Sequence, residues 1–315
     1  MEQVERYRGA LLGLAAGDAL GATVEFKVRD KFEPMTDIAG GGPHRLQAGQ
    51  WTDDTSMALC LAESLIVCQE MDLTDQLERY VRWWREGHWS SKGYCFDIGN
   101  ATSAALSNFE RTGDPHSGST DPYTAGNGSI MRLAPVPLFF ASHPAAAIEK
   151  SAESSITTHG AKEAVDACRY LGTLICGAVN GASKDALLSD HFFSPAGDGY
   201  WQEVEPLAPK IAEIAAGSFK RKDRPEVKGD FYVVPSLEAA LWAFHSTDTF
   251  EEGVLAAVNL GDDADTTGAV CVQLAGAFYG ASSIPEGWRD KLTFREKIET
   301  LADDLFRLAR TSKNP

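Results

Sequence analysis

The chain has 315 residues, of which 29 are Lys or Arg and 45 are Asp or Glu, so its formal net charge is −16. Its length is ample for a large buried core, and 43% hydrophobic residues are typical of a globular protein. The acidic excess argues against binding to nucleic acid or to anionic membranes, because phosphates and lipid head groups attract positive charge.

Apolar residues recur at helical spacing over most of the chain, whereas runs that alternate apolar and polar residues are short and scarce. The pattern predicts an all-α fold. We expect one compact orthogonal helical bundle over residues 1–315, because no repeat, low-complexity tract or linker divides the chain. The predicted helices cover about 4–16, 56–69, 73–85, 100–110, 129–141, 144–156, 161–181, 203–216, 235–245, 251–259, 264–279 and 294–309.

The loops between these helices carry the unusual composition. Segments 40–43, 112–127, 194–200 and 220–230 are rich in Gly, Pro, Ser or charged residues. The second of them has the length and composition of a binding loop rather than of a linker between domains.

The cysteine pattern and the hydropathy indicate where the protein resides. The six cysteines include no Cys-x-x-Cys pair and lie mostly among Leu, Ala and Ile, which is typical of reduced core thiols. The longest uncharged stretches, such as 268–281, are shorter than the roughly 18 apolar residues that a membrane helix needs. We therefore expect a cytoplasmic protein without membrane insertion, and we expect a monomer.

Two acidic clusters are the sharpest local features. Thr52, Asp53 and Asp54 directly precede one predicted helix, and the run 261–266, with three Asp residues, precedes another about 210 residues later. Each cluster alone is also typical of an ordinary helix N-cap. Carboxylates this close repel one another unless a cation or solvent lies between them, so the pair suggests a shared metal centre. Oxygen donors without His or Cys favour Mg²⁺, Mn²⁺ or Ca²⁺ over Zn²⁺, and the number of carboxylates allows two ions.

Three other sites fit the second cluster less well. An EF-hand loop that starts at Asp263 has Leu274 where the bidentate Glu belongs. The run from Asp263 to Thr267 matches the DxDxT pattern of aspartyl-phosphate phosphatases, but no buried apolar strand precedes it. A P-loop is excluded, because Gly-Lys-Ser and Gly-Lys-Thr occur nowhere.

Several short motifs follow one another along the chain: RGALLGLAAGDALG at 8–21 with Glu25 and Phe26, GQWTDDT at 49–55, FDIGN at 96–100, GNGSIMR at 126–132, Thr158-His159 and GDDADT at 261–266. In this order they resemble the ADP-ribosylglycohydrolase family, most of all its bacterial dinitrogen-reductase-activating branch. The resemblance implies an all-α fold around a dinuclear Mg²⁺ or Mn²⁺ centre that removes ADP-ribose from a modified protein side chain, most often arginine. An ADP-ribosylated protein would be the substrate, and ADP-ribose the product ligand. The implied metal ligands are Thr52, Asp53, Asp54, Asp263, Asp265 and Thr266.

The resemblance also implies residues for catalysis and substrate binding. Asp97 is the preferred proton-transferring carboxylate, and Glu25 matches an acidic residue that gates or ligates in relatives. The implied substrate-binding residues are Asn100 at the ribose, Gly126, Asn127, Gly128 and Ser129 with N–H groups toward the diphosphate at a helix start, His159 at the adenosine half, and Tyr232 as a cover. Arg132 is a further candidate near the diphosphate. Ordinary roles as caps, turns and core residues remain open for each.

Two other functions stay open beside hydrolysis of ADP-ribosylarginine. A related hydrolase would act on another ADP-ribose linkage, on serine or in a small metabolite. A non-catalytic ADP-ribose-binding protein or a crystallin-like structural relative would need neither metal nor turnover. The intact acidic clusters disfavour a purely structural protein, because mutually repelling carboxylates serve no packing purpose.

Overall fold

The computed structural model describes residues 1–190, 192 and 206–311. These ranges contain fourteen α-helices and four short 3₁₀ turns but no β-strand, which confirms the predicted all-α fold. The 3₁₀ turns are Pro122–Thr124, Ser218–Arg221, Arg224–Glu226 and Ala281–Ser283. The helices are α1 Gln3–Gly21, α2 Asp53–Cys68, α3 Leu73–Glu86, α4 Asn100–Thr112, α5 Pro135–Phe139, α6 Pro144–Ile156, α7 Lys162–Val179, α8 Lys184–Leu187, α9 Pro209–Ala215, α10 Val233–His245, α11 Phe250–Val258, α12 Ala264–Tyr279, α13 Glu286–Lys291 and α14 Arg295–Thr311.

Helices α1 and α12 pack with their backbones in direct contact at the centre of the fold. Glycines recur every fourth residue on one face of α1 and meet glycines on α12. A Cβ on Gly9 would lie 2.3 Å from the carbonyl oxygen of Gly276, and one on Gly17 would lie 2.8 Å from that of Gly268. At the end of α1, a Cβ on Gly21 would lie 2.4 Å from the backbone nitrogen of Asp265. The end of α1 is therefore fixed against the start of α12, where the second acidic cluster lies.

Helix α1 is longer than predicted and α2 begins earlier. The four residues after Gly17 continue the helix to Gly21, because its glycines face a neighbouring backbone and Asp18 finds partners in the interior. Helix α2 begins at Asp53 instead of 56, so both acids of the first cluster lie in its first turn.

The predicted helix at 129–141 is wrong over most of its length, since only α5, Pro135–Phe139, is helical. Residues 128–132 form turns instead. A Cβ on Gly128 would lie 2.8 Å from Cε1 of His159, and Arg132 donates a hydrogen bond of 3.0 Å to the carbonyl of Gly128. These tertiary contacts override the apolar periodicity.

Two further differences concern the second half of the chain. Of the helix predicted at 203–216, residues 203–205 lie outside the described ranges, and α9 begins at Pro209. The loop predicted at 194–200 also lies outside them. The short helices α8 and α13 were not predicted, because one turn leaves little periodicity in the sequence. None of the described helices combines the length and apolar character needed to cross a bilayer.

Candidate metal centre

A cleft of about 440 Å³ opens where the end of α1 meets the starts of α2, α4 and α12. Its described lining residues include no Lys or Arg. A Gly-Asn-Gly loop and the exposed rings of Phe26 and Phe231 complete its wall. The predicted site residues that line it are Glu25, Asp53, Asp97, Asn100, Gly126, Asn127, Gly128, His159, Asp263, Asp265 and Thr266.

The two acidic clusters meet below this cleft, although they are far apart in sequence. The hydroxyl oxygen of Thr52 lies 3.2 Å from Oδ2 of Asp265, 213 positions away, and 3.3 Å from Oδ2 of Asp54. The hydroxyl of Thr266 lies 3.4 Å from the same Asp54 oxygen. Four of the six predicted metal ligands, Thr52, Asp54, Asp265 and Thr266, thus form one oxygen-rich group with contributions from both clusters.

The charges of this group are not balanced by protein groups. Oδ1 of Asp54 and Oδ1 of Asp265 are buried without a hydrogen-bond partner. Burial, aided by neighbouring carboxylates, raises the pKa of both residues and of Asp53 well above the usual range. Ligand oxygens of Glu25, Asp263 and Asp265 lie within 4.8 Å of one another. Unpartnered carboxylate oxygens at this spacing fit a hard divalent cation, which would supply the missing positive charge.

Asp18 supports the first cluster, a role that the sequence alone did not predict. Its side chain is fully buried and accepts hydrogen bonds from the backbone N–H and the hydroxyl of both Thr52 and Thr55, at 2.6–3.0 Å. Burial raises the pKa of Asp18 to about 6. Asp18 therefore caps α2 and orients the Thr52 hydroxyl toward the other acids. Its signal in the sequence was a single acid within the otherwise apolar run 9–21.

Glu25 and Asp97 lie on the wall of the cleft on either side of His44. Nε2 of His44 is 2.9 Å from Oε2 of Glu25 and 3.3 Å from Oδ1 of Asp97. Hydrogen bonds to Asp97 and Glu25 raise the pKa of His44 to about 10, and burial raises that of Glu25 to about 7. Asp97 has a φ of 59°, which is rare for a residue other than Gly. The sequence carried no signal for His44, which lies in a loop without regular periodicity.

Asn127 supports the second cluster as well as lining the cleft. Its side-chain amide donates a hydrogen bond of 2.6 Å to Oδ2 of Asp263, and burial raises the pKa of that carboxyl to about 6. In the same loop, the N–H groups of Gly126 and Asn127 donate to the carbonyls of Thr124 and Phe231. Within the described part of the chain, the N–H groups of Gly128 and Ser129 have no partner. The N–H of Gly128 therefore remains for an anion in the cleft, whereas Ser129 is buried outside its lining, and no helix begins there.

His159 and Asn100 occupy opposite environments along the cleft. His159 is buried, with Nδ1 2.8 Å from the hydroxyl of Thr158, and burial lowers its pKa to about 3. Its imidazole is therefore neutral at physiological pH. Asn100 is exposed at the first turn of α4.

Two predicted substrate-binding residues do not line the cleft. Ser129 is buried, and its hydroxyl accepts a hydrogen bond of 3.0 Å from Ser155. Tyr232 lines a neighbouring cavity of about 640 Å³, where its hydroxyl donates to Glu163 and accepts from Lys210. The two cavities share Gly126 and Phe231 in their linings.

The proposed approach of Arg132 to the diphosphate is corrected by the structure. Its side chain is fully buried and lies outside the cleft lining. The guanidinium donates to the carbonyl of Gly128 and, at 2.8 Å, to the hydroxyl of Thr158. It also lies over the ring of Tyr80, 4.6 Å from the centroid. Arg132 thus stabilises the Gly-Asn-Gly loop through the carbonyl of Gly128, from a position outside the cleft.

Comparison with known proteins gives consistent results over the whole chain. The profile of the family described as ADP-ribosylglycohydrolase matches residues 1–315. ADP-ribosylarginine hydrolase Tri1 of Serratia proteamaculans is 45% identical over 98% of this chain and 81% of that protein. ADP-ribosyl-[dinitrogen reductase] glycohydrolase of Rhodospirillum rubrum is 32% identical over 97% of each chain. A solved structure described as an ADP-ribosylglycohydrolase-related protein complex superposes with a TM-score of 0.85 at 44% identity, covering 98% of this chain and 99% of that one.

Proposed function

Because the chain belongs to the ADP-ribosylglycohydrolase family, we propose that it is a metal-dependent hydrolase that releases ADP-ribose from ADP-ribosylated arginine side chains of proteins. The observation that carries this proposal is the pair of acidic clusters that meet below an open cleft with buried, unpartnered oxygens. The 45% identity to proteins named ADP-ribosylarginine hydrolase supports arginine as the linkage.

The two clusters would hold two divalent cations, Mg²⁺ or Mn²⁺. Such ions lower the pKa of a bound water and fix neighbouring hydroxyl groups of a substrate. The chain supplies the geometry: Asp18 orients Thr52, and Asn127 orients Asp263. The proposed ligands are Thr52, Asp53, Asp54, Asp263, Asp265 and Thr266.

The carboxylates on the cleft wall would handle protons. Hydrolysis forms a bond from a water oxygen to the ribose C1″ and breaks the bond from C1″ to the guanidine nitrogen. The water loses a proton, and the departing nitrogen gains one. Asp97, which lines the cleft, would accept the proton, and Glu25, which lines the same wall, would hold one. Both carboxylates also stabilise the positive charge that develops on the ribose.

The substrate would extend from these carboxylates along the cleft. Asn100 would contact the ribose, and the free N–H group of Gly128 would face the diphosphate. The neutral His159 would contact the adenosine half. Tyr232 would then cover the substrate from the neighbouring cavity, with which the cleft shares part of its wall.

An assay of the purified protein on arginine-, serine- and glutamate-linked ADP-ribosyl substrates tests this function. We expect release of ADP-ribose from arginine with Mg²⁺ or Mn²⁺, and no release after treatment with EDTA. Release from serine alone would contradict the linkage. Binding of ADP-ribose without turnover on any substrate would contradict the enzymatic function.

We also propose that the enzyme acts as a monomer in the cytoplasm. Its six free cysteines suit a reducing compartment. Light scattering coupled to size exclusion should give a mass near 34.0 kDa, and a dimer mass at micromolar concentration would contradict the monomer.

A further inference from the structure

We propose that His44 is a positioning residue that holds the carboxylates of Glu25 and Asp97 in their working orientation. This inference rests on the proposed function, because it assigns His44 a part in the same reaction. It concerns the geometry of the two carboxylates that would transfer protons, not the binding of the cations.

The carboxylates of Glu25 and Asp97 share one polar partner, the imidazole of His44. Among the described contacts, the imidazole Nε2 is the only hydrogen-bond or ion-pair partner of the Glu25 side chain and of the Asp97 side chain. The distances of 2.9 and 3.3 Å place this one nitrogen between the two oxygens. Without it, both carboxylates would be free to rotate, and their negative charges would repel each other and the nearby acids.

The backbone of His44 is fixed from several directions. Gly41 and Leu46 close the loop around it through two backbone hydrogen bonds of 2.7 and 2.8 Å. Nζ of Lys92 donates to the carbonyl of His44 at 2.9 Å. The base of the loop is held by a hydrogen bond from Thr23 to the carbonyl of Gly40. The loop is thus held by hydrogen bonds at Gly40, between Gly41 and Leu46, and at His44 itself, which fixes the position of the His44 side chain.

The imidazole ring is also confined by its neighbours. The centroid of the Phe96 ring lies 5.4 Å from that of the imidazole, and the centroid of the Phe26 ring lies 6.3 Å from it in an edge-to-face arrangement. The His44 side chain is only 17% exposed. Phe96 directly precedes Asp97, so the packing that confines His44 also fixes the segment that carries the catalytic carboxylate.

Substitution of His44 separates a positioning role from a purely structural one. His44→Leu keeps the bulk and removes the donor, whereas the Nε2 of glutamine in His44→Gln is the same number of bonds from Cα as the imidazole Nε2. We expect His44→Leu to lower kcat by about 10- to 100-fold with KM changed less than about threefold, as for lost outer-shell support of catalytic groups. His44→Gln should restore at least about a third of the loss on a logarithmic scale. His143→Gln, at a histidine that lines neither cavity, should behave as wild type.

A double substitution tests whether His44 acts through Asp97. Loss of His44 in the Asp97→Asn background should lower kcat by a clearly smaller factor than His44→Leu does in the wild type, because only the support of Glu25 is then left to lose. Additive losses would overturn the proposal, as would a wild-type kcat in His44→Leu. A loss of Tm of about 10 °C or more in both His44 variants, together with no rescue by glutamine, would also overturn it.

A measurement on EDTA-treated protein keeps this test independent of activity. In ¹⁵N spectra of histidine side chains, Asp97→Asn should shift the His44 Nε2 resonance, whereas Asp114→Asn on the surface should not. An unchanged His44 resonance in Asp97→Asn would overturn the geometry. If the wild-type protein releases no ADP-ribose from arginine, the proposed function fails, and the shift still decides whether His44 holds the carboxylate.

Discussion

Removing divalent cations should reverse the pH dependence of this protein's stability. Burial raises the pKa of Asp18 and Asp263 from 3.8 to about 6 and that of Glu25 from 4.5 to about 7. The folded, metal-free protein therefore binds protons more tightly than the unfolded chain. The stability from each group is fully present below its unfolded pKa and is lost as pH rises through the folded value.

The magnitude follows from the size of the shifts. A rise of about two pKa units on Asp263 corresponds to about 3 kcal/mol, at about 1.4 kcal/mol per unit. A chain of 315 residues unfolds with an entropy of roughly 0.7 kcal/mol/K. About half of this stability is still present at pH 5 and almost none at pH 8, so one such group lowers the Tm of the metal-free protein by about 2 °C over this range. With Mn²⁺ present, the Tm should instead rise over this range, because protons compete with the cation for the carboxylates.

Differential scanning fluorimetry from pH 5 to pH 8, with EDTA and with Mn²⁺, measures the slope of Tm against pH in each condition. Asp263→Asn should flatten the fall in EDTA and reduce the gain from Mn²⁺. Asp114→Asn, a side chain with 58% exposure, is the matched control and should leave both slopes unchanged. Parallel slopes with and without Mn²⁺, or a Tm that rises with pH in EDTA, would refute the reasoning.

Four further substitutions test the site and the contact between α1 and α12 that supports it. Asp265→Asn should abolish both Mn²⁺ binding and turnover, because Asp265 is a proposed metal ligand. Asp97→Asn should keep Mn²⁺ binding, measured by calorimetry, and lose most turnover. Equal losses of Mn²⁺ binding in the two variants would contradict these separate roles. Asp18→Asn should destabilise the protein by about 2–4 kcal/mol in urea unfolding, because an amide nitrogen then faces buried donors, and an unchanged midpoint would contradict its role as a cap. Gly276→Ala should cost at least about 3 kcal/mol, because its Cβ would lie 2.0 Å from a carbonyl oxygen of α1, whereas Gly287→Ala meets nothing within 4 Å and should be neutral.

The acidic clusters could be predicted from the sequence because their signal is electrostatic. Asp53 and Asp54 in one run, and Asp263 and Asp265 in another, repel at short range whatever the fold, so a shared cation was a sound expectation. The helical periodicity likewise predicted the fold class. These signals depend only on residues that are neighbours in the sequence.

The positions of Asp18 and His44 could not be predicted in this way. Asp18 reads as a polar interruption of an apolar helix, and only the start of α2 at Thr52 shows what it caps. The proposed role of His44 depends on its contacts with two carboxylates, Glu25 and Asp97, which lie in other segments of the chain. The wrong helix at 129–141 has the same origin, since contacts of Gly128 with His159 decide its backbone. Each of these features depends on residues distant in sequence.

The direct contact of α1 and α12 also constrains how the protein is made. The proposed ligands are divided between the first 54 residues and residues 263–266, and the glycine faces that bring them together extend to Gly276. A chain emerging from the ribosome therefore cannot complete the cation site until nearly all of α12 has been synthesised. Until then only Thr52, Asp53 and Asp54 of the proposed ligands are present, and we expect them to bind a cation weakly. Cation binding would thus favour chains that include α12, and a chain truncated before α12 would lack this source of stability.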